Sequence, residues 1–293
     1  MSLVTEPLAF EFFRQGLFAA VLVGALCGMI GVYVILRRMS YIGHGLSHSV
    51  FGGAVVAYVT SINFYVGAGL WGFLSALLIN ATARRRKIGA DAAIGIVTTA
   101  SFAIGVALIS KTRSFTRNFE AALFGNVLGV TPTDLFVVAV VTVLVALFIG
   151  LFYKQLLFLT FDQDVAPIYG VRVGLVDSLF ALAMAATIVA SINVVGVTLI
   201  AATLVIPAST ARLLTDSFGR MIGYSTLLGA AAGLLGMYAS YWLDVSSGAT
   251  IVLLEAGVFA VISVIVALRQ RETSWERDHQ PRAVAGEPRG DVL

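Results

Sequence analysis

The chain is 293 residues long, 59% of them drawn from Ala, Val, Ile, Leu, Met, Phe, Trp, Tyr and Cys, with only 12% charged and a mean hydropathy of +0.94. Soluble domains carry about a quarter charged residues, and ten of the 35 charges here lie beyond residue 268, so the rest cannot clothe a water-facing globular surface and reads as an all-α, polytopic membrane protein. The net charge of +3 comes from basic residues set between apolar runs, which suits membrane orientation and argues against nucleic-acid binding.

A spanning helix needs about 20 mostly apolar residues. That window predicts nine candidates, at 15–36, 43–60, 62–83, 90–110, 134–152, 173–192, 194–213, 221–243 and 249–268, a bundle of about eight to nine transmembrane helices. In the N-terminal stretch, acidic residues precede the first apolar run, unlike a cleaved signal peptide, and residues 10–13 have an alternative course along the interface. Residues 1–268 form one membrane domain, and the polar tail 269–293, with Pro281, Gly286 and Pro288, is expected to be a disordered cytoplasmic extension.

Basic residues set the orientation. Under this span count Arg37, Arg38, Arg84, Arg85, Arg86, Lys87, Lys154, Arg172, Arg212, Arg220, Arg269 and Arg271 share one face, against Arg14, Lys111, Arg113 and Arg117 on the other. The majority face is expected to be cytoplasmic, with the C-terminus inside. The pairs Gly24/Gly28, Gly125/Gly129 and Gly229/Gly233 have the small-xxx-small spacing that lets helices approach closely. Residues 119–130, closed by Thr131-Pro132, are too short to span and read as a re-entrant or interfacial helix.

Few residues can carry chemistry. Cys27 is the single cysteine, which leaves no internal disulfide and no cysteine-based metal cluster. His44 and His48 stand at i and i+4 in GHGLSHSVFGG, a spacing that puts two imidazoles on one helix face, where they can share a transition-metal ion. Two satisfied polar residues packing helices together is the plain alternative. No glutamate follows the first histidine, so a zincin-type protease is unsupported. Glu255 lies within an otherwise apolar span, as either a metal-path ligand or a helix-packing partner. Asp91 is placed to favour a helix N-terminus, Asp177 to cap a span or lie at the interface, and Asp244 and Glu120 to be solvated. Two loops on the basic face, 212–223 and 161–170, are candidate docking surfaces. In the first, a short amphipathic helix would offer Phe218 and Met221 to a partner, while ordinary loops also fit both stretches. No phosphate-binding loop of the Walker A type occurs.

Six ordered motifs, LRRMSYIGHGLSHSVFGG, DAAIGI, LFGNVLGVTPTD, FDQDVAPIYG, VVGVTLIAATLVIPASTARLL and DVSSGATIVL, resemble the integral-membrane permease of bacterial zinc/manganese/iron ABC importers over about 13–267. The resemblance implies a multi-pass protein of the bacterial plasma membrane, with a fold related to the cobalamin/siderophore-type permeases. It implies a homodimer joined to two ABC ATPase subunits and fed by an extracytoplasmic metal-binding protein. Zinc, manganese or iron is the cargo, with no permanently bound cofactor, and ATP is hydrolysed on the partner chain. It also implies that Arg212, Leu214, Thr215, Asp216, Ser217, Phe218, Gly219, Arg220 and Met221 form the segment that contacts the ATPase, and that His48 lines the metal path.

Position 44 departs from the pattern, since His44 stands where the family usually has aspartate. Imidazole in place of a hard carboxylate lowers the expected preference for manganese and raises it for zinc. The lost negative charge shifts the expected reliance of cation entry to Glu255 or Glu120, with Glu255 as the compensating residue. Rival readings are an ion-coupled secondary transporter using Glu255, for which no internal repeat is visible, and a permease for a metal chelate, whose Pro-His signature is absent because Ala208 follows Pro207.

Overall fold

The computed structural model describes residues 5–83, 90–112 and 125–279. After a single turn, α1 (Thr5–Leu8), the chain runs through α2 (Glu11–Leu36), α3 (Ser40–Val59), α4 (Phe64–Ala83) and α5 (Ala90–Thr112). A 3-10 turn at Val127–Gly129 leads into α6 (Pro132–Leu151) and the short α7 (Tyr153–Phe161). A second 3-10 turn, Ala166–Tyr169, precedes α8 (Val173–Val195), α9 (Ile200–Leu214), α10 (Phe218–Leu243) and α11 (Ser247–His279). No strand occurs among the described residues.

Every predicted span has its helix. Seven helices, α2, α4, α5, α6, α8, α10 and α11, are long and apolar enough to cross a membrane. The other two fall short for reasons visible in their residues: α3 carries the polar Gly-His-Ser run, and α9 is only 15 residues long with Pro207 inside it. Residues 11–13 belong to α2 rather than to a separate interfacial segment, and Phe13 is fully buried. The last helix continues through His279, so the first eleven residues of the expected tail extend α11; 280–293 lie outside the described residues.

Local sequence explains several boundaries. Thr131 accepts from the backbone N–H of Asp134, whose carboxylate accepts in return from the Thr131 N–H, a capping box followed by Pro132 at the first helical position. Gly196, at φ +87°, ends α8, and Asp244, at φ +53°, ends α10. Between α2 and α3 the chain reverses in three residues, with Arg38 left-handed at φ +55° and the Met39 N–H donating to the Val34 carbonyl at 2.8 Å.

The centre of the bundle is α2 with α8. Of the most apolar stretch in each, 67% is buried inside the protein, against 11% for α11, which must therefore face lipid or another chain. α2 lies against α10 at backbone distance. A Cβ on Gly24 would stand 2.1 Å from the Gly229 carbonyl oxygen, and one on Gly28 would stand 2.4 Å from that of Ser225. Ser225 Oγ donates to the Gly28 carbonyl across the same seam at 2.7 Å. The two glycine pairs thus join helices of one chain. The third pair behaves differently. Gly125, at φ +78°, is a turn residue that abuts the Val194 and Val195 carbonyls, and Gly129 closes the 3-10 turn that Asn126 caps. Residues 113–124, which hold the first half of the expected re-entrant helix and Glu120, lie outside the described residues.

Candidate functional site

The start of α3 is built of small residues because α5 presses on it. A Cβ on Gly45 would come within 2.6 Å of the Ile94 side chain, and one on Gly52 within 2.2 Å of the Ser101 carbonyl oxygen. His44 and His48 sit at the edge of this contact, one turn apart, with ring centroids 4.8 Å apart and planes at 83°. His44 is exposed and His48 half-buried against the Phe102 ring of α5 at 5.2 Å. His48 Nδ1 is buried with no hydrogen-bond partner, although a buried ring nitrogen ordinarily has one. The hydroxyl of Ser47 does not supply it, because it donates to the His44 carbonyl at 2.7 Å. The pair therefore offers one exposed imidazole and one half-sheltered imidazole with a nitrogen left over.

Glu255 does not complete them. Among the described residues no three His, Cys, Asp or Glu side chains are grouped to hold a metal ion. Glu255 projects instead into a cavity of about 60 Å³ between α9, α10 and α11, beside Pro207, Thr210, Ala232 and Val258. It is 4% exposed, and neither carboxyl oxygen has a hydrogen-bond partner. The structure brings the two histidines together and sets the carboxylate apart.

At the basic end, the coupling candidates do not form a helix of their own. Arg212 and Leu214 close α9, Thr215, Asp216 and Ser217 link, and Phe218 opens α10 together with Gly219, Arg220 and Met221. The expected amphipathic helix gives way to a three-residue link because α9 and α10 each extend to it. Arg212, Leu214, Asp216, Ser217, Gly219 and Arg220 are exposed, and Arg212 pairs with Asp216 at 3.2 Å. Met221 is buried, and Phe218 packs inward on the rings of Tyr33, Tyr153 and Phe161 at 5.4–5.8 Å. The surface at this link is thus charged and polar with Leu213 and Leu214 as its exposed apolar side chains, in place of the expected display of Phe218 and Met221. In the other docking candidate, 161–170, Ile168 on the second 3-10 turn is 81% exposed.

Two polar clusters escape sequence reading. Asp177, expected as a cap, forms an ion pair with Arg37, and the two side chains are only 15% and 6% exposed. At the opposite end of the bundle Asp134 accepts from the Tyr65 hydroxyl and, at 3.1 Å, from Asn193 Nδ2, knotting α4, α6 and α8 together. Only the pairing of Asp134 with Thr131 had a local signal. Asp244 is exposed, as expected, whereas the side chain of Asp91 lies outside the described residues.

These features can be set beside known proteins. Residues 9–267 match the ABC 3 transport family. The manganese transport system membrane protein MntC of Halalkalibacterium halodurans is 39% identical over 256 residues, covering 87% of this chain and 88% of that protein. PsaBC from Streptococcus pneumoniae in complex with Fab is similar at a TM-score of 0.81 and 34% identity, over 89% of this chain and 94% of that one. A metal-chelate type ABC transporter in an inward-facing conformation aligns at a TM-score of 0.70 and 18% identity, over 86% of this chain and 85% of that one, a likeness of fold alone. The chain belongs to the ABC 3 transport family and is a multi-pass permease of the plasma membrane.

Proposed function

We propose that this chain is the permease subunit of an ABC importer that carries a divalent transition-metal ion of the zinc, manganese and iron group into the cytoplasm. The supporting observation is the histidine pair: two imidazoles at 4.8 Å on α3, one exposed and one with a buried unpartnered nitrogen. The similarity to proteins named for manganese transport points to the same cargo class.

The ion enters from an extracytoplasmic binding protein into a path at the axis of a homodimer and meets His44 and His48. Two imidazoles without a closed four-ligand shell hold it weakly enough to release it, as conduction requires. ATP hydrolysis on a separate pair of subunits, received at the link between α9 and α10, drives the alternation between outward and inward access. The cytoplasmic face is the basic end, which holds that link, the α2–α3 turn and the end of α11. Glu255 stands outside this path, in a cavity of its own.

The test is competitive zinc and manganese uptake in cells that lack their own importers and express this chain with its ATPase and binding protein. Accumulation that needs the ATPase and is lost in His48→Ala is the expected result. ATPase-independent accumulation would overturn the importer, and normal uptake in His48→Ala would remove the histidine from the path.

A further inference from the structure

We infer that the buried Arg37–Asp177 pair, with the aromatic rings of Phe180 and Tyr33, positions the histidine helix relative to the coupling link, so that movement at the link is passed to His44 and His48. The inference rests on the importer reading above and adds to it the residues that connect its two ends.

The contacts are continuous. Phe218, the first residue of α10, meets the Tyr33 ring edge-on at 5.4 Å and 80°. Tyr33 is fully buried in α2 and touches Phe180 of α8 at 5.7 Å. Phe180 in turn carries the Arg37 guanidinium over its face at 5.0 Å, a cation–π contact that gains strength away from water. Arg37 Nη2 donates to Asp177, one helical turn before Phe180 on the same helix. Arg37 is also the residue at which α2 ends. The following turn is only three residues long and held by the Met39 N–H to Val34 and the Arg38 N–H to Ile35, at 2.8 and 3.1 Å. So short a turn has no slack, and α3 begins at Ser40 with His44 one turn further on.

The pair is suited to this task because it resists partial change. Removing one partner of a buried ion pair leaves an uncompensated charge, which is strongly unfavourable, so the α2 end and α8 move together or exchange partners in one step. Two groups along the chain of contacts are unfinished in this conformation: Arg37 Nη1 and the Tyr33 hydroxyl are both buried without a hydrogen-bond partner. Buried polar groups of native proteins are ordinarily satisfied, and a second arrangement that satisfies these two gives the element the bistability a transmission step needs.

The experiment uses the whole importer in proteoliposomes, reading manganese and zinc uptake together with ATP hydrolysis. Asp177→Asn and Phe180→Leu are expected to assemble and hydrolyse ATP while moving about tenfold less metal per ATP than wild type, the size of effect found for residues that connect distant sites. Phe180→Tyr keeps the ring face and is expected to keep the wild-type ratio. A wild-type ratio in Asp177→Asn, or equal ratios in Phe180→Leu and Phe180→Tyr, would overturn the inference. Should Asp177→Asn fail to assemble, the two Phe180 variants decide, since both leave the ion pair in place. Uptake by the wild-type importer without ATP would instead sink the importer reading itself.

Discussion

On the proposed reading, position 44 is where the preference among ions is set. An imidazole there offers a borderline nitrogen where a carboxylate would offer hard oxygen, and manganese favours oxygen more than zinc does. His44→Asp is therefore expected to shift competitive uptake toward manganese; an unchanged zinc-to-manganese ratio would show that position 44 does not select. His48 is half-buried, and its Nδ1 has no competing protein partner. Its loss in His48→Ala should lower uptake by about 10–100-fold or more, since the loss of mere outer-shell partners at metal sites already costs that range. Glu255 should behave in the opposite way. A buried carboxyl without partners costs the fold about 1–3 kcal/mol, so Glu255→Leu should raise the thermal midpoint of the purified permease and leave the metal ratio unchanged. A collapse of uptake in that variant would return Glu255 to the path.

Among the helices, the α2–α10 seam depends on having no side chain at a few positions. Gly24→Val puts a branched side chain where even a Cβ would be 2.1 Å from a backbone oxygen. Overpacking of this kind costs about 1–3 kcal/mol where neighbours can give way. A carbonyl in a helix gives way poorly, so a fall in the thermal midpoint at the upper end of that range is expected. Gly257 on α11 has open space around its Cβ position, and Gly257→Ala should stay within about 1 kcal/mol of wild type. If both variants melt alike, the seam is not what holds the two helices together. The glycine spacing at 24/28 and 229/233 was legible in the sequence. Its partner was not, because small-xxx-small marks a close contact without saying whether the facing helix belongs to the same chain. The same spacing at 125/129 marks no helix contact at all, since Gly125 has a left-handed φ of +78°.

Over the whole molecule, hydropathy alone located the nine helices α2–α6 and α8–α11 among the described residues, because a bilayer demands long apolar stretches and internally paired backbones. The histidine pair was equally legible, being a local spacing on one helix. What escaped was the joining of residues far apart in the chain: Arg37 with Asp177, 140 positions away, and Tyr65 with Asp134, 69 positions away. Each such residue has an ordinary local reading, and only the packing of helices selects the partner. The form of the 212–223 segment escaped for a related reason, since its charged ends resemble those of a separate amphipathic helix but are the ends of two long ones. With α11 presenting so little of its surface to its own chain, the purified permease is expected to have the mass of a dimer in mild detergent. A monomeric mass that still supports uptake would remove the dimer axis from the mechanism.

The glycine seam also bears on which parts of the permease can open independently. Helices in van der Waals contact along their backbones behave as one plank, and a plank does not fray from one side. In native-state hydrogen–deuterium exchange, the facing amides of α2 and α10 around Gly24, Gly28, Gly229 and Gly233 should be the last to exchange and should do so as a single cooperative unit. The α10 end of that plank is Phe218 and the α2 end is Arg37, so a nudge delivered at the first is shared by the second without either helix bending.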